Sequence, residues 1–131
     1  RLVSPEQLKI EPDVKKFLVK NKMEFIESDN LKDSVKQADV IYMTRIQDEY
    51  DVSDESKKIN YTNFHLTKQH LKLIKKDAII MHPLPRREEI DVDVDDDIRA
   101  HYWKQERNGM WVRAALIAYM FGLRQEIMDK S

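Results

Sequence analysis

The chain has no cysteine, which removes disulfides, thiolate metal sites and cysteine nucleophiles at once. Glycine is almost missing too, with Gly109 and Gly122 the only two among 131 residues. A loop whose backbone N–H groups wrap a phosphate needs glycines in series, so the nucleotide-binding fingerprints built on such loops are excluded. Long apolar runs are lacking. The longest, Ala114 to Gly122, falls far short of the roughly 20 residues a membrane span requires. Arg1 to Lys20 lacks the apolar stretch of a signal peptide. Nor is there an excess of one charge: the formal net charge is −1, too small a field to attract nucleic acid or an anionic membrane. Neither is expected as a partner.

What is present suits one ordinary domain. The length fits a single unit, and 41% hydrophobic residues can build one core beside 36% charged residues. The opening Arg1-Leu2-Val3 reads as the end of a strand, so the expectation is a piece of a longer polypeptide. Ser4-Pro5-Glu6 reads as a turn or helix start, with a capping serine. Pro12-Asp13 opens a helix to about Asn21, with Val14, Phe17 and Leu18 on one apolar stripe. A short strand is expected at Met23 to Ile26. Ser28-Asp29-Asn30 offers capping oxygens for a helix lined by Leu31, Val35 and Ala38.

Val40-Ile41-Tyr42-Met43 and Ala78-Ile79-Ile80-Met81 are continuous apolar runs, as strands covered on both faces are. The fold class that follows is α/β, a parallel β-sheet flanked by helices on both faces. Between the runs lies a polar stretch, Asp48 to Asn63, long enough for a functional loop, then a helix from about Thr67 to Ile74. Beyond come an acidic loop, Glu88 to Asp97, a helix around His101 to Arg107 and a turn at Asn108-Gly109. The last helix, Met110 to Leu123, is apolar nearly all round except at Arg113. Such a helix needs burial on every side, against a neighbouring domain or chain or as a central core helix.

Ligands of open parallel sheets bind just beyond the carboxyl ends of the strands. Thr44-Arg45-Ile46-Gln47 and His82-Pro83-Leu84-Pro85-Arg86 occupy those places. In an extended segment Arg45 and Gln47 point the same way, offering a planar cation and a neutral amide suited to a carboxylate. A surface arginine paired with Asp48 or Glu49 fits the same residues. Pro83 and Pro85 around Leu84 stiffen the backbone and remove two N–H donors, leaving carbonyl oxygens to accept from an NH₂ group. A rigid loop that merely ends a strand fits equally.

Together, Tyr42-Met43-Thr44-Arg45-Ile46-Gln47 and His82-Pro83-Leu84-Pro85-Arg86 resemble the two signature segments of the carboxyl-terminal half of aspartate carbamoyltransferases. Their order and separation match, as does Asn108-Gly109 before a terminal helix, and the resemblance covers essentially the whole chain. Ornithine carbamoyltransferases share the architecture but carry cysteine where Pro83 stands, which favours aspartate as acceptor. The resemblance implies that residues 1–131 are one aspartate-binding domain. Arg45 would hold a carboxylate of L-aspartate with help from Gln47, and the carbonyls of Pro83 and Leu84, fixed by Pro85, would hold the carbamoyl NH₂ of carbamoyl phosphate. It further implies no metal or organic cofactor, a homotrimer, and partnership with an amino-terminal half carrying a Ser-Thr-Arg-Thr phosphate cradle. This chain would then not catalyse alone. A cytoplasmic location is the default, a plastid one requiring an upstream targeting segment. The family often has a second arginine a few residues beyond Gln47, where this chain has Tyr50. The alternatives are a carbamoyltransferase for another amino acid and a catalytically silent homologue acting as a binding subunit.

Other signals are weaker. Asp91-Val92-Asp93-Val94-Asp95 opens like a calcium loop, but Asp96 stands where glycine should and Tyr102 where glutamate should. His65, His70, His82 and His101 lack the helical metal spacing, and His82 is expected to anchor its turn through the backbone. Arg113 could reach solvent or point into a cleft.

Overall fold

The computed structural model describes residues 1–45, 61–123, 125–126 and 129. Strand β1 (Leu2–Val3) pairs in parallel with β2 (Glu27–Ser28), and β3 (Val40–Tyr42) pairs in parallel with β4 (Ile79–Met81). Helices α1 (Pro12–Lys20), α2 (Leu31–Val35), α3 (Lys68–Leu71) and α4 (Tyr102–Met120) intervene or follow, with short 3-10 turns at Glu6–Leu8, Tyr61–Phe64 and Val92–Val94. Parallel strands joined by helical connections give the expected α/β class.

Local chemistry explains several boundaries. Pro12 occupies the first turn of α1, where its missing N–H costs nothing. Asn30 caps α2, its Oδ1 accepting from Asp33 N–H at 2.9 Å. The carbonyls at the end of α3 are closed by a distant cation: the Arg99 guanidinium donates to Leu71, Ile74 and Lys75 carbonyls. Arg99 is held in turn by Asp97 at 2.8 Å, and this hydrogen bond lowers the Asp97 carboxyl below the ordinary carboxylate range.

The core gathers Val35 of α2, Ile80 of β4, Leu66, Ile90, Val94 and Tyr102 of α4, each no more than 1% exposed. Ile80 N–H donates to the Arg99 carbonyl and His101 N–H to the Ile80 carbonyl, so residues 99–101 form a third row beside β4. That row delivers α4 to the end of the strand.

Several expectations need correction. The strand expected at Met23–Ile26 lies at Glu27–Ser28, because pairing with β1 sets the register, Leu2 N–H bonding the Ile26 carbonyl and Ser4 N–H the Ser28 carbonyl. Ser4 caps nothing; Pro5 precedes a 3-10 turn without a side-chain cap. Asn108-Gly109 is not a turn, since α4 runs unbroken through it. The two expected helices are one. The apolar stripe of α1 exists but is not covered, Phe17 being 61% exposed. Val40 and Tyr42 are also exposed, so β3 is covered on one face only. The far half of α4 is exposed as well, which removes the central-core alternative for it.

Candidate active-site cleft

β3 and β4 end side by side, with Tyr42 in register with Met81 and Met43 N–H reaching the Met81 carbonyl at 2.9 Å. Both strand-end segments therefore leave from one edge of the sheet. Arg45 is half-buried just beyond β3. Gln47, Asp48, Glu49 and Tyr50 lie outside the described residues, as does most of the polar stretch from Asp48 to Asn63.

The segment after β4 is held from several sides. His82 is buried, and its Nδ1 accepts from Leu84 N–H at 2.8 Å, the turn anchor expected of it. Its Nε2 lies 2.7 Å from Glu89 Oε1, close but off the line of a hydrogen bond. Leu84 has φ of +52°, a left-handed conformation that a branched side chain occupies at a cost of about 1–3 kcal/mol. The His82 bond to its N–H helps to hold it there. Since Pro83 and Pro85 have no N–H and that of Leu84 is taken, the turn has no free donor. No hydrogen bond among the described residues uses the Pro83 or Leu84 carbonyl.

Arg86 locks the outer end. Its Nη1 donates to the Ile90 carbonyl at 2.8 Å and its Nη2 to Asp95 Oδ2 at 2.5 Å. The same guanidinium lies 5.9 Å from the ring centres of both Tyr102 and Trp103. Tyr102 donates its hydroxyl to the other Asp95 oxygen. Burial first, and then this bond, push the Tyr102 hydroxyl pKa well up, so it stays protonated.

These residues wall an open cleft of about 860 Å³, lined by His82, Pro83, Leu84, Pro85 and Arg86 from the turn and by Trp103, Gln105, Glu106, Gly109 and Arg113 from α4. The volume is ample for a ligand of a few heavy atoms and reaches into the range of small-molecule sites. Pro83, Leu84 and Pro85 thus meet in one place, and Arg45 is not among the lining residues. Arg113 faces the cleft: a Cβ on Gly109 would lie 3.7 Å from its Nη1, so the guanidinium rests over that glycine. Trp103, Gln105 and Glu106 were not singled out from sequence, because helical period alone does not say which face meets a strand end. Among the described residues no group of acidic or histidine side chains is arranged to hold a metal ion.

The family model for the Asp/Orn binding domain of aspartate/ornithine carbamoyltransferases matches residues 1–120. The chain belongs to that family. Among curated relatives, the catalytic subunit of aspartate carbamoyltransferase from Clostridium acetobutylicum is 44% identical, over 93% of this chain and 40% of its own length. The multifunctional protein CAD of Squalus acanthias is 41% identical, over 93% of this chain but 5% of that protein. The catalytic subunit of the M. jannaschii aspartate transcarbamoylase superposes with a TM-score of 0.75 at 35% identity, covering 95% of this chain and 39% of that one. The Trypanosoma cruzi enzyme in complex with carbamoyl phosphate and aspartate gives 0.78 at 30% identity, covering 88% and 39%. This chain therefore spans about 40% of the length of the clostridial relative it matches.

Proposed function

We propose that this domain is the aspartate-recognition half of an aspartate carbamoyltransferase, the remainder of the site being supplied by an amino-terminal half and by a neighbouring subunit of a homotrimer. The observation that carries the reading is the donor-free turn at Pro83–Leu84, set at the end of a parallel strand with its carbonyls unclaimed among the described residues. Such a turn suits a ligand that brings N–H donors and no carbonyl of its own to that point, as a carbamoyl NH₂ does. Arg45 takes a carboxylate of L-aspartate, with Gln47 beside it, and Pro85 stiffens the turn. Relatives named for aspartate as acceptor support aspartate over ornithine, since the family model spans both.

In the reaction the aspartate amine attacks the carbamoyl carbon. A C–N bond forms, the bond from that carbon to the phosphate oxygen breaks, the amine loses a proton and phosphate leaves. The product, N-carbamoyl-L-aspartate, belongs to pyrimidine synthesis. The sequence holds no Ser-Thr-Arg-Thr segment, so the part of this domain is recognition and closure, which completes a site and excludes water. We place the working enzyme in the cytoplasm, the default location for this family.

The test offers aspartate and ornithine side by side, with carbamoyl phosphate, to the full-length protein. Selective carbamoyl-aspartate formation is expected. Transfer to ornithine alone overturns the acceptor, and no transfer from a folded protein favours a silent binding subunit. Within the active protein, Arg45→Ala should weaken aspartate handling by roughly ten- to a hundredfold, the loss of a charge-assisted contact of about 1.5–3 kcal/mol. An unchanged response to aspartate concentration removes Arg45 from the site.

A further inference from the structure

Where a strand row runs out, its next N–H needs another acceptor. Along one edge of β4, Ile80 N–H bonds the Arg99 carbonyl at 2.7 Å and His101 N–H bonds the Ile80 carbonyl at 2.8 Å. One step on, the chain beside β4 has already turned into α4, and its backbone can no longer serve His82. Gln105 takes over: its Oε1 accepts from His82 N–H at 3.1 Å. The other end of the same amide, Nε2, donates to the Tyr42 hydroxyl, also at 3.1 Å. Tyr42 closes β3 and precedes Met43-Thr44-Arg45, while His82 follows β4 and immediately precedes Pro83. One planar group on the first turns of α4 thus bridges the ends of β3 and β4.

We infer that Gln105 is a positioning residue for carbamoyl transfer, setting the spacing between Thr44-Arg45 at the end of β3 and the carbonyl turn at Pro83–Leu84. The inference rests on the functional reading above. A glutamine is suited to the task because its amide carries an acceptor and a donor on one rigid plane. Neither bond is deep: the one to His82 is half-buried and the one to Tyr42 exposed, so each adds little to folding. What they hold is a distance. Reaction between two separately bound substrates is sensitive to that distance, a misplacement of about 1 Å costing on the order of a hundredfold. α4 also fixes Arg113 against the cleft, so the same helix sets both the floor and the span of the site.

The test is steady-state kinetics and thermal unfolding of the full-length protein. In Gln105→Leu, which removes both bonds, kcat for carbamoyl-aspartate formation should fall about tenfold or more, with KM for each substrate changing less than about threefold. The unfolding midpoint should stay within about four degrees. Tyr42→Phe deletes one end of the bridge and should give a smaller fall in kcat. Combined with Gln105→Leu it should add nothing, because both changes cut one link. Gln105→Glu, whose carboxylate can accept from both His82 N–H and Tyr42 O–H, should restore most of kcat. An unchanged kcat in Gln105→Leu, a loss confined to KM, or no rescue by Gln105→Glu overturns the inference. If Gln105→Leu does not fold, Tyr42→Phe decides, since the hydroxyl it removes is exposed. A wild-type protein that makes no carbamoyl-aspartate overturns the functional reading itself. An active wild type with unaltered variants overturns the role of Gln105 alone.

Discussion

Helix α4 enters the fold at Tyr102, which has no exposed surface, and leaves it at Met120 and Phe121, which are 80% and 76% exposed. The near end is tied by Asp95, Arg86 and the row of backbone bonds beside β4. The far end carries Trp111, Leu116, Ile117 and Tyr119 into open space without a preferred apolar side. One continuous helix is therefore half committed to its own domain and half not. A far end that is apolar and exposed gains little from packing on this domain. The same holds, more weakly, for α1, which has no buried residue.

Substitutions at the two ends give the widest contrast. Tyr102→Ala should cost about 3–5 kcal/mol in urea unfolding of the 131-residue chain, the range for deleting a buried aromatic. Phe121→Ala in the same chain should stay within about 0.5 kcal/mol, as surface changes do. Equal costs would erase the contrast between the ends. Asp95→Ala should come next at about 1–3 kcal/mol, because Arg86 and the Tyr102 hydroxyl both lose their acceptor. The chain by itself should also bind a hydrophobic dye, and Leu116→Lys with Phe121→Lys should lower that binding without moving the unfolding midpoint. Dye binding that these changes leave intact would shift the uncovered surface to α1.

The smallest expected effect belongs to pH. His70 Nδ1 accepts from Thr67 N–H at 3.2 Å, at the start of α3. Burial first, and then the charge of Lys32, hold the His70 pKa below its ordinary value of 6.5, with Asp91 opposing. The folded chain thus binds this proton more weakly than the unfolded one. Its contribution is fully present above pH 6.5 and is lost as pH falls below that value. Melting midpoints should drop modestly between about pH 7.5 and 5.5, and His70→Asn should flatten part of that slope. A slope unchanged in the variant would assign it to other groups.

Much of the fold was legible in the residues. Val40 to Tyr42 and Ile79 to Met81 were readable as strands because apolar runs of β-branched and aromatic residues have few other uses at that length. Asn30 as a cap and Pro12 as a first-turn residue follow from side-chain and ring geometry that needs no distant partner. The turn at His82 to Pro85 was readable for the same reason, two prolines fixing the backbone locally. The misplaced strand at Met23–Ile26 failed because β2 has no strong pattern of its own; its register comes from β1, far away in sequence. Asn108-Gly109 misled because a local turn preference of about 1 kcal/mol is easily outweighed in a helix whose first turns are anchored by tertiary contacts at Tyr102 and Gln105.

By itself, then, the sequence determined the α/β class, the two strand-end segments and the donor-poor turn, all of which depend on neighbours within a few residues. It determined the family as well, through Thr44 to Gln47 and His82 to Arg86. Only the tertiary structure decided that α4 passes through Asn108-Gly109, that its first turns meet the end of β4, and that Gln105 spans from His82 to Tyr42. Those outcomes depend on bonds between residues far apart in the chain, and no local propensity encodes which of several helix faces will meet a strand end.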